Sequence, residues 1–372
     1  MLKYRRMPIE IESPEEFGYG NIDCNLAESS VTDALLPDLG IDLGNLVLAY
    51  GDHFGKPELR ALIAADAPNL KPDDVLLTVG AAAALFIVAT SLLNPGDHIL
   101  VAFPNYATNI ETPRTIGCQM DFVRLNFEEG YRLDIEALAA RITPQTRLVS
   151  LTCPHNPTGS MISEADLRRL IDIVEAKGCY LLFDETYREM SFASAGALPP
   201  AASLSPRAIS VSSLSKTYGL PGIRMGWLIC RDASLKQTFL AAKEQIFISN
   251  SVVDEEIAYR FLERKAQHLQ RIKAHIQTNF GVVKQWMAVQ EDMEWVEPGG
   301  GVVCFPRIKP DSSVDVDKFY QVLNTIHKTF VGPGHWFESE RRHMRVGYGW
   351  PSQDELEKGL HNITQALLAA KD

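Results

Sequence analysis

Seven short runs of β-branched and aliphatic residues recur through the first two thirds of the chain, at 75–79, 98–103, 120–125, 147–152, 180–185, 208–214 and 225–230. Unbroken apolar runs of this length suit strands buried on both faces. Between most of them the spacing turns helical. In 163–177, Leu167, Leu170, Ile171 and Val174 share one face, and Ser163 stands where a capping residue would meet Asp166. Strands alternating with helices predict a mostly parallel α/β sheet of seven strands. Beyond about residue 255 the pattern changes. A long helix is expected with Leu269, Ile272, Ile276 and Phe280 on one face, then short strands near 302–305 and 343–346, then a last helix from Gln353. This tail predicts a smaller α+β domain. The expected division is 1–45 as an N-terminal arm with part of the small domain, 46–255 as the large domain and 256–372 as the small one.

Composition narrows the class. Of 372 residues, 46% are hydrophobic and 22% charged, which fits a soluble globule with a large core. The net charge of −11 argues against nucleic-acid or anionic membrane partners. The basic stretch 263–273 is expected to be the solvated face of the long helix. Six scattered cysteines without a CxxC pair predict reduced thiols in a cytoplasmic protein. The most apolar stretch, 81–93, stops at Asn94-Pro95-Gly96, short of the roughly 20 residues that span a bilayer. No apolar signal region follows the basic residues of 1–6, so no export is expected. The nine histidines form no HExxH or close ligand set, and no metal site is expected.

In open α/β sheets ligands bind beyond the carboxyl ends of the strands, so the polar residues that follow each apolar run hold the candidate chemistry. The run ending at Ser213 continues Leu214-Ser215-Lys216, with Arg224 eight positions after the lysine. A lysine and an arginine so placed suit phosphate binding beside a free amine for Schiff-base chemistry. The run 147–152 ends in Pro154-His155-Asn156-Pro157-Thr158-Gly159, and 180–183 ends in Asp184-Glu185-Thr186-Tyr187. Taken singly, Asn-Pro-Thr-Gly is a turn signal and an acid after a strand is a helix cap. Their joint occurrence on one sheet edge with Lys216 is what points to a site.

With these residues in place the chain, from about Tyr50 to Arg345, resembles the pyridoxal 5'-phosphate-dependent aminotransferases of classes I and II, which have fold type I. The resemblance implies that Lys216 forms the Schiff base with the cofactor and then shuttles a proton between the substrate α-carbon and the cofactor. Asp184 would pair with the pyridine nitrogen, keeping it protonated so that the ring acts as electron sink. Tyr187 and Asn156 match the residues that bond the ring's phenolic oxygen, and Tyr106 the residue that stacks on the ring. The phosphate would meet Arg224, Ser213 and the backbone amides of Ala81 and Ala82, whose small side chains stand where many relatives carry hydroxyls or lysine. Tyr50 resembles the tyrosine that reaches the neighbouring subunit's phosphate, which implies a homodimer with shared sites.

Arg345 matches the arginine that grips the substrate α-carboxylate, with Asn156 beside it. Glu28 lies in the segment that lines the side-chain pocket of relatives and could face a cationic group, or else cap a helix. This segment and 48–51 also resemble a subgroup that contains capreomycidine synthase and other enzymes acting on arginine-derived amino acids. The expected reaction is amino transfer between an α-amino acid and a 2-oxo acid. The alternative is a lyase, cyclase or oxidase acting on a functionalised, arginine-like amino acid.

Overall fold

The computed structural model describes residues 2–192 and 196–371. Thirteen strands are named here in chain order: β1 (Cys24–Leu26), β2 (Val75–Val79), β3 (His98–Phe103), β4 (Gln119–Arg124), β5 (Thr146–Thr152), β6 (Tyr180–Asp184), β7 (Ala208–Ser213), β8 (Met225–Cys230), β9 (Met293–Glu294), β10 (Val303–Cys304), β11 (Arg307–Ile308), β12 (Thr329–Pro333) and β13 (Met344–Gly347). The seven expected apolar runs become β2 to β8, in one sheet of order β2-β8-β7-β6-β5-β3-β4. The pairs from β7 through β4 are parallel, and β8 runs antiparallel to both its neighbours. The reason lies in the connection. Residues 214–224 return from β7 to β8 without a crossover helix, and a parallel pair needs one.

Alternation along each strand supplies two cores. Val101, Leu148, Leu182, Val211 and Leu228 pack on one face with Leu85, Ile87 and Val88 of the helix Gly80–Leu92. Leu100, Val149, Leu151, Leu181 and Phe183 point the other way, onto Leu167, Leu170, Ile171 and Val174 of the helix Glu164–Lys177. That helix opens with the expected cap: Ser163 Oγ accepts from Asp166 N at 3.0 Å, and the Asp166 carboxylate accepts from Ser163 N at 3.3 Å.

A second sheet has the order β1-β12-β13-β10, with β1 parallel to β12 and the other pairs antiparallel. The helices Lys265–Met287 and Gln353–Ala369 cover it, joining Leu26, Ile276, Val283, Val346 and Leu360 in one cluster. The apolar face expected on the first of these helices also carries a fully buried polar residue. Asn279 Nδ2 donates to the carbonyls of Tyr348 and Pro351, both at 2.9 Å, and so ties the helix to the chain leaving β13.

Two short helices, Pro8–Ile11 and Pro14–Phe17, precede β1 and lie over the cleft between the sheets. Glu12 fastens them, its Oε2 accepting from Trp336 Nε1 at 2.8 Å and pairing with His335 Nε2 at 2.7 Å. Phe17 packs on Phe330 with ring centroids 4.5 Å apart. All six cysteines are free thiols, five buried and Cys118 half-buried. No helix among the described residues is long and apolar enough to cross a membrane.

Candidate active site

The carboxyl ends of β3, β5, β6 and β7 open into one cavity of about 730 Å³, which the N-terminal helices roof over. Its lining brings together Glu28, Ala81, Ala82, Tyr106, Asn156, Asp184, Tyr187, Ser213, Lys216, Arg224 and Arg345. Tyr50 is not among them: it is 85% exposed on the outer surface of its own chain.

Lys216 sits in the β7–β8 connection. Its backbone carbonyl accepts from Val31 N at 2.9 Å, and Gly219 O accepts from Ala34 N at 2.8 Å, so the segment after β1 is stitched to the lysine loop. Burial lowers the amine's pKa, and the guanidinium groups of Arg345 and Arg224 push the same way. Glu28 and Glu15 oppose them. A neutral amine is the form that attacks a carbonyl.

Asp184 ends β6 and is buried. Its Oδ1 accepts from Thr186 Oγ1 at 2.7 Å and Thr186 N at 3.1 Å. Burial raises its pKa, and the bonds from Thr186 and Asn109 act against that. An isolated buried carboxylate is costly, so this one calls for a cationic partner on the cavity side. Tyr187, three residues on, donates its hydroxyl to Ser29 O at 2.8 Å.

At another wall, Arg224 adopts a left-handed backbone (φ 43°) and donates Nη1 to Pro221 O at 2.8 Å. The guanidinium lies against Gly80, the first residue of the helix Gly80–Leu92. The N–H groups of this first turn lack partners within the helix, and the helix dipole adds positive potential there. Ser213 and Ser215 complete the wall, Ser213 Oγ accepting from Ser215 N at 3.3 Å. Arginine, helix N-terminus and hydroxyls together suit a phosphate.

Across the cavity, Arg345 of β13 is buried, and burial lowers its pKa. Nη1 donates to Asn156 Oδ1 at 3.1 Å and Nη2 to Ala27 O at 2.6 Å, while Nε has no partner among the described residues. Asn156 and Ala27, the residue after β1, thus aim a guanidinium that still has donor capacity, which suits a carboxylate. Beyond it, Glu28 accepts from Tyr19 Oη at 3.2 Å and from Asn25 Nδ2 at 3.5 Å. Glu10, Glu15 and Glu16 from the two roof helices line the same region, with Arg5 and Arg6 beside them. The roof residues, Thr186, Ser215 and Asn109 escape notice in the sequence.

Solved structures share the fold. A pyridoxal 5'-phosphate-dependent aminotransferase from Streptococcus suis superposes with a TM-score of 0.90 at 27% identity, covering 97% of this chain and 98% of that one. A pyridoxal 5'-phosphate-dependent cyclase, OrfR, does so with a TM-score of 0.88 at 26% identity, covering 99% of each. The fold and site therefore define a pyridoxal 5'-phosphate-dependent enzyme of the aminotransferase class. Among curated proteins, capreomycidine synthase of Streptomyces vinaceus is 30% identical over 327 residues, 88% of this chain and 82% of that protein. Arginine–pyruvate transaminase AruH of Pseudomonas aeruginosa is 29% identical over 308 residues, 80% and 77%. Residues 24–363 match the family described as aminotransferase class I and II, and the chain belongs to that family. Its cofactor is pyridoxal 5'-phosphate, and the donor set above fits that group: a phosphate-binding wall, a buried carboxylate seeking a cation and a buried amine face one space.

Proposed function

We propose that this enzyme transfers the amino group between an α-amino acid and a 2-oxo acid, with Lys216 as the lysine that carries the cofactor and then the proton. The observation that carries the reading is Arg345, buried, aimed by Asn156 and Ala27, and lining the same cavity as Lys216. The cofactor supplies an aldehyde to take up the amino group and a ring to withdraw electrons. The remaining work falls to the chain. Arg345 and Asn156 fix the substrate carboxylate, which orients the α-hydrogen toward Lys216. The Lys216 amine, whose pKa burial lowers, removes that proton and returns one on the opposite side of the transfer. When the cofactor is bound, Asp184 would hold a proton on its ring nitrogen, Tyr106 would stack on the ring, and Tyr187 and Asn156 would bond the ring oxygen, the Tyr187 hydroxyl turning from Ser29 O to do so. Arg224, Ser213 and the amides of Ala81 and Ala82 would hold the phosphate, and the roof helices would keep water out.

The exposed Tyr50 fits a homodimer in which it reaches the neighbouring subunit's phosphate, in the cytoplasm. Residues 46–255 form the cofactor-binding body, with 1–45 and 256–372 as the smaller one. A second reading also has an observation behind it. Glu28 and Glu15 line the cavity and act on both Lys216 and Arg345, whereas Glu16 is paired with Arg6 at 2.7 Å. The first two acids, with no ion pair among the described residues, favour a cationic amino acid, and on an arginine-like substrate the same Lys216 would also serve elimination or cyclisation.

Single-turnover mixing with a panel of amino acids that includes arginine and hydroxyarginine separates the two. One equivalent of 2-oxo acid per site, with the amino group retained on the cofactor as its amine form, establishes amino transfer and names the donor, whereas free ammonia or a cyclised product with the cofactor still in its aldehyde form favours the second reading. Lys216→Ala abolishes the borohydride-trapped adduct with the cofactor, and an adduct that persists would mean that another lysine carries it.

A further inference from the structure

Tyr106 follows β3 and Asp184 ends β6, and β5 lies between those strands in the sheet. With strands about 4.8 Å apart, two residues meant to touch one ring start from backbones about 10 Å apart laterally. Asp184 is still held by the ladder, with Cys153 N donating to its carbonyl at 3.0 Å, but the β3–β5 register ends at Val101 and Ser150, short of Tyr106. Something else must hold the end of β3 in register with β5 and, through it, with Asp184.

Asn105 occupies that place. Its side chain is 1% exposed, and its Oδ1 accepts three hydrogen bonds: from Tyr106 N at 2.7 Å, from Thr152 Oγ1 at 3.0 Å and from Asn109 Nδ2 at 3.0 Å. Its own Nδ2 donates to Ala102 O at 3.0 Å. One amide thus joins the end of β3, the first turn of the helix Ala107–Ile116 and the end of β5. The chain of contacts then runs on to Asp184 through Thr152. Thr152 is the register partner of Asp184 across the β5–β6 pair. Asn109, also buried, donates its Nδ2 to Thr152 Oγ1 at 3.5 Å as well as to Asn105, and its Oδ1 has no partner among the described residues. Both bonds of Asn109 are therefore as donor, to Asn105 and to Thr152, which leaves one orientation for its amide and doubles the tie to the end of β5.

We propose that Asn105 is a positioning residue that co-registers Tyr106 and Asp184, so that a pyridine ring is stacked by one and paired by the other in the same pose. The inference rests on the ring-facing roles given to these two residues above. A packing role alone would affect every part of the cavity alike. Co-registration affects ring binding and leaves the phosphate wall, which Asn105 does not touch, as it was.

The test compares two probes on the purified apo-enzyme: pyridoxamine 5'-phosphate, which binds by ring and phosphate without a bond to Lys216, and inorganic phosphate. Asn105→Leu and Thr152→Val each weaken pyridoxamine 5'-phosphate about tenfold, the size of one or two lost buried hydrogen bonds, and leave phosphate affinity within about twofold. The double variant is at most about threefold weaker than the worse single, because both substitutions break one tie. If Asn105→Leu does not fold, the near-isosteric Thr152→Val decides alone. Unchanged ring affinity, a parallel loss of phosphate affinity or fully multiplicative effects would overturn the proposal. Asp184→Asn is the control. If it weakens ring binding while Asn105→Leu and Thr152→Val do not, only the co-registration fails, and if none of the three does, the assignment of Asp184 fails with it.

Discussion

A Cβ placed on Gly80 would stand 2.6 Å from Nη2 of Arg224. The glycine also has φ of 74°, in the left-handed region. The helix start and the guanidinium can share the phosphate wall only because this residue has no side chain. Gly80→Ala is therefore expected to push the Arg224 head aside and to add backbone strain of about 1–2 kcal/mol. Cofactor dissociation measured by equilibrium dialysis should worsen at least about tenfold, with a thermal midpoint only a few degrees lower. An unchanged dissociation constant would remove the helix start from the phosphate site.

Arg345→Lys keeps the charge and loses the planar fork. A lysine cannot donate to Asn156, Ala27 and a carboxylate in the fixed geometry of a guanidinium. Steady-state kinetics should show kcat/KM for amino acids reduced by about 100-fold, with much of the loss in KM. A change confined to kcat would mean that Arg345 acts on the chemistry and not on substrate binding.

The acidic wall predicts selectivity. Glu28→Gln and Glu15→Gln each remove a negative charge from the cavity's substrate end. Each is expected to lower kcat/KM for a cationic amino acid by about three- to tenfold and to leave an aliphatic one nearly unaffected. Equal effects on the two substrates would take the cationic preference away.

His155 offers a test by pH. The ring is buried, its Nδ1 pairs with Thr158 Oγ1 at 2.8 Å, and burial pushes its pKa down to about 4 from 6.5. A group whose folded-state pKa is lowered contributes stability that is fully present above the unfolded value and is lost as pH falls through the folded one. Wild-type protein should lose up to about 3 kcal/mol through this group between pH 6.5 and 4. Chemical denaturation of His155→Gln should show a flatter acid limb over that window, and identical pH slopes would mean that the imidazole titrates normally.

The large sheet and most of the site could be read from the sequence for one physical reason. A strand buried on both faces is a mostly apolar run, so its end is marked where polar residues cluster, and in this fold those clusters line the cavity: Asp184 after Phe183, and Ser213, Ser215 and Lys216 after Val211. Residues whose importance comes from neighbours distant in sequence left no such mark. Asn105, Asn109, Thr186 and Ser215 look like ordinary turn and cap formers, and only the packed sheet brings Asn105 and Asn109 against Thr152. A Thr two places after Asp184 is a weak local signal, since that spacing lets its hydroxyl reach back to the carboxylate. The roof helices span four residues each, too short for any period, although Pro8 and Pro14 at their first positions do mark their starts.

The pairing of β1 with β12 sets Cys24 beside Thr329. During synthesis the first strand to leave the ribosome waits for almost the last. Until residues 329–345 have emerged, the N-terminal segment has no sheet to join, Trp336 is not there to hold Glu12, and the cleft lacks both its roof and Arg345. A nascent chain that already contains Lys216, Asp184 and Arg224 therefore carries them on an open sheet edge, and the cavity around them is completed only when the last strands arrive.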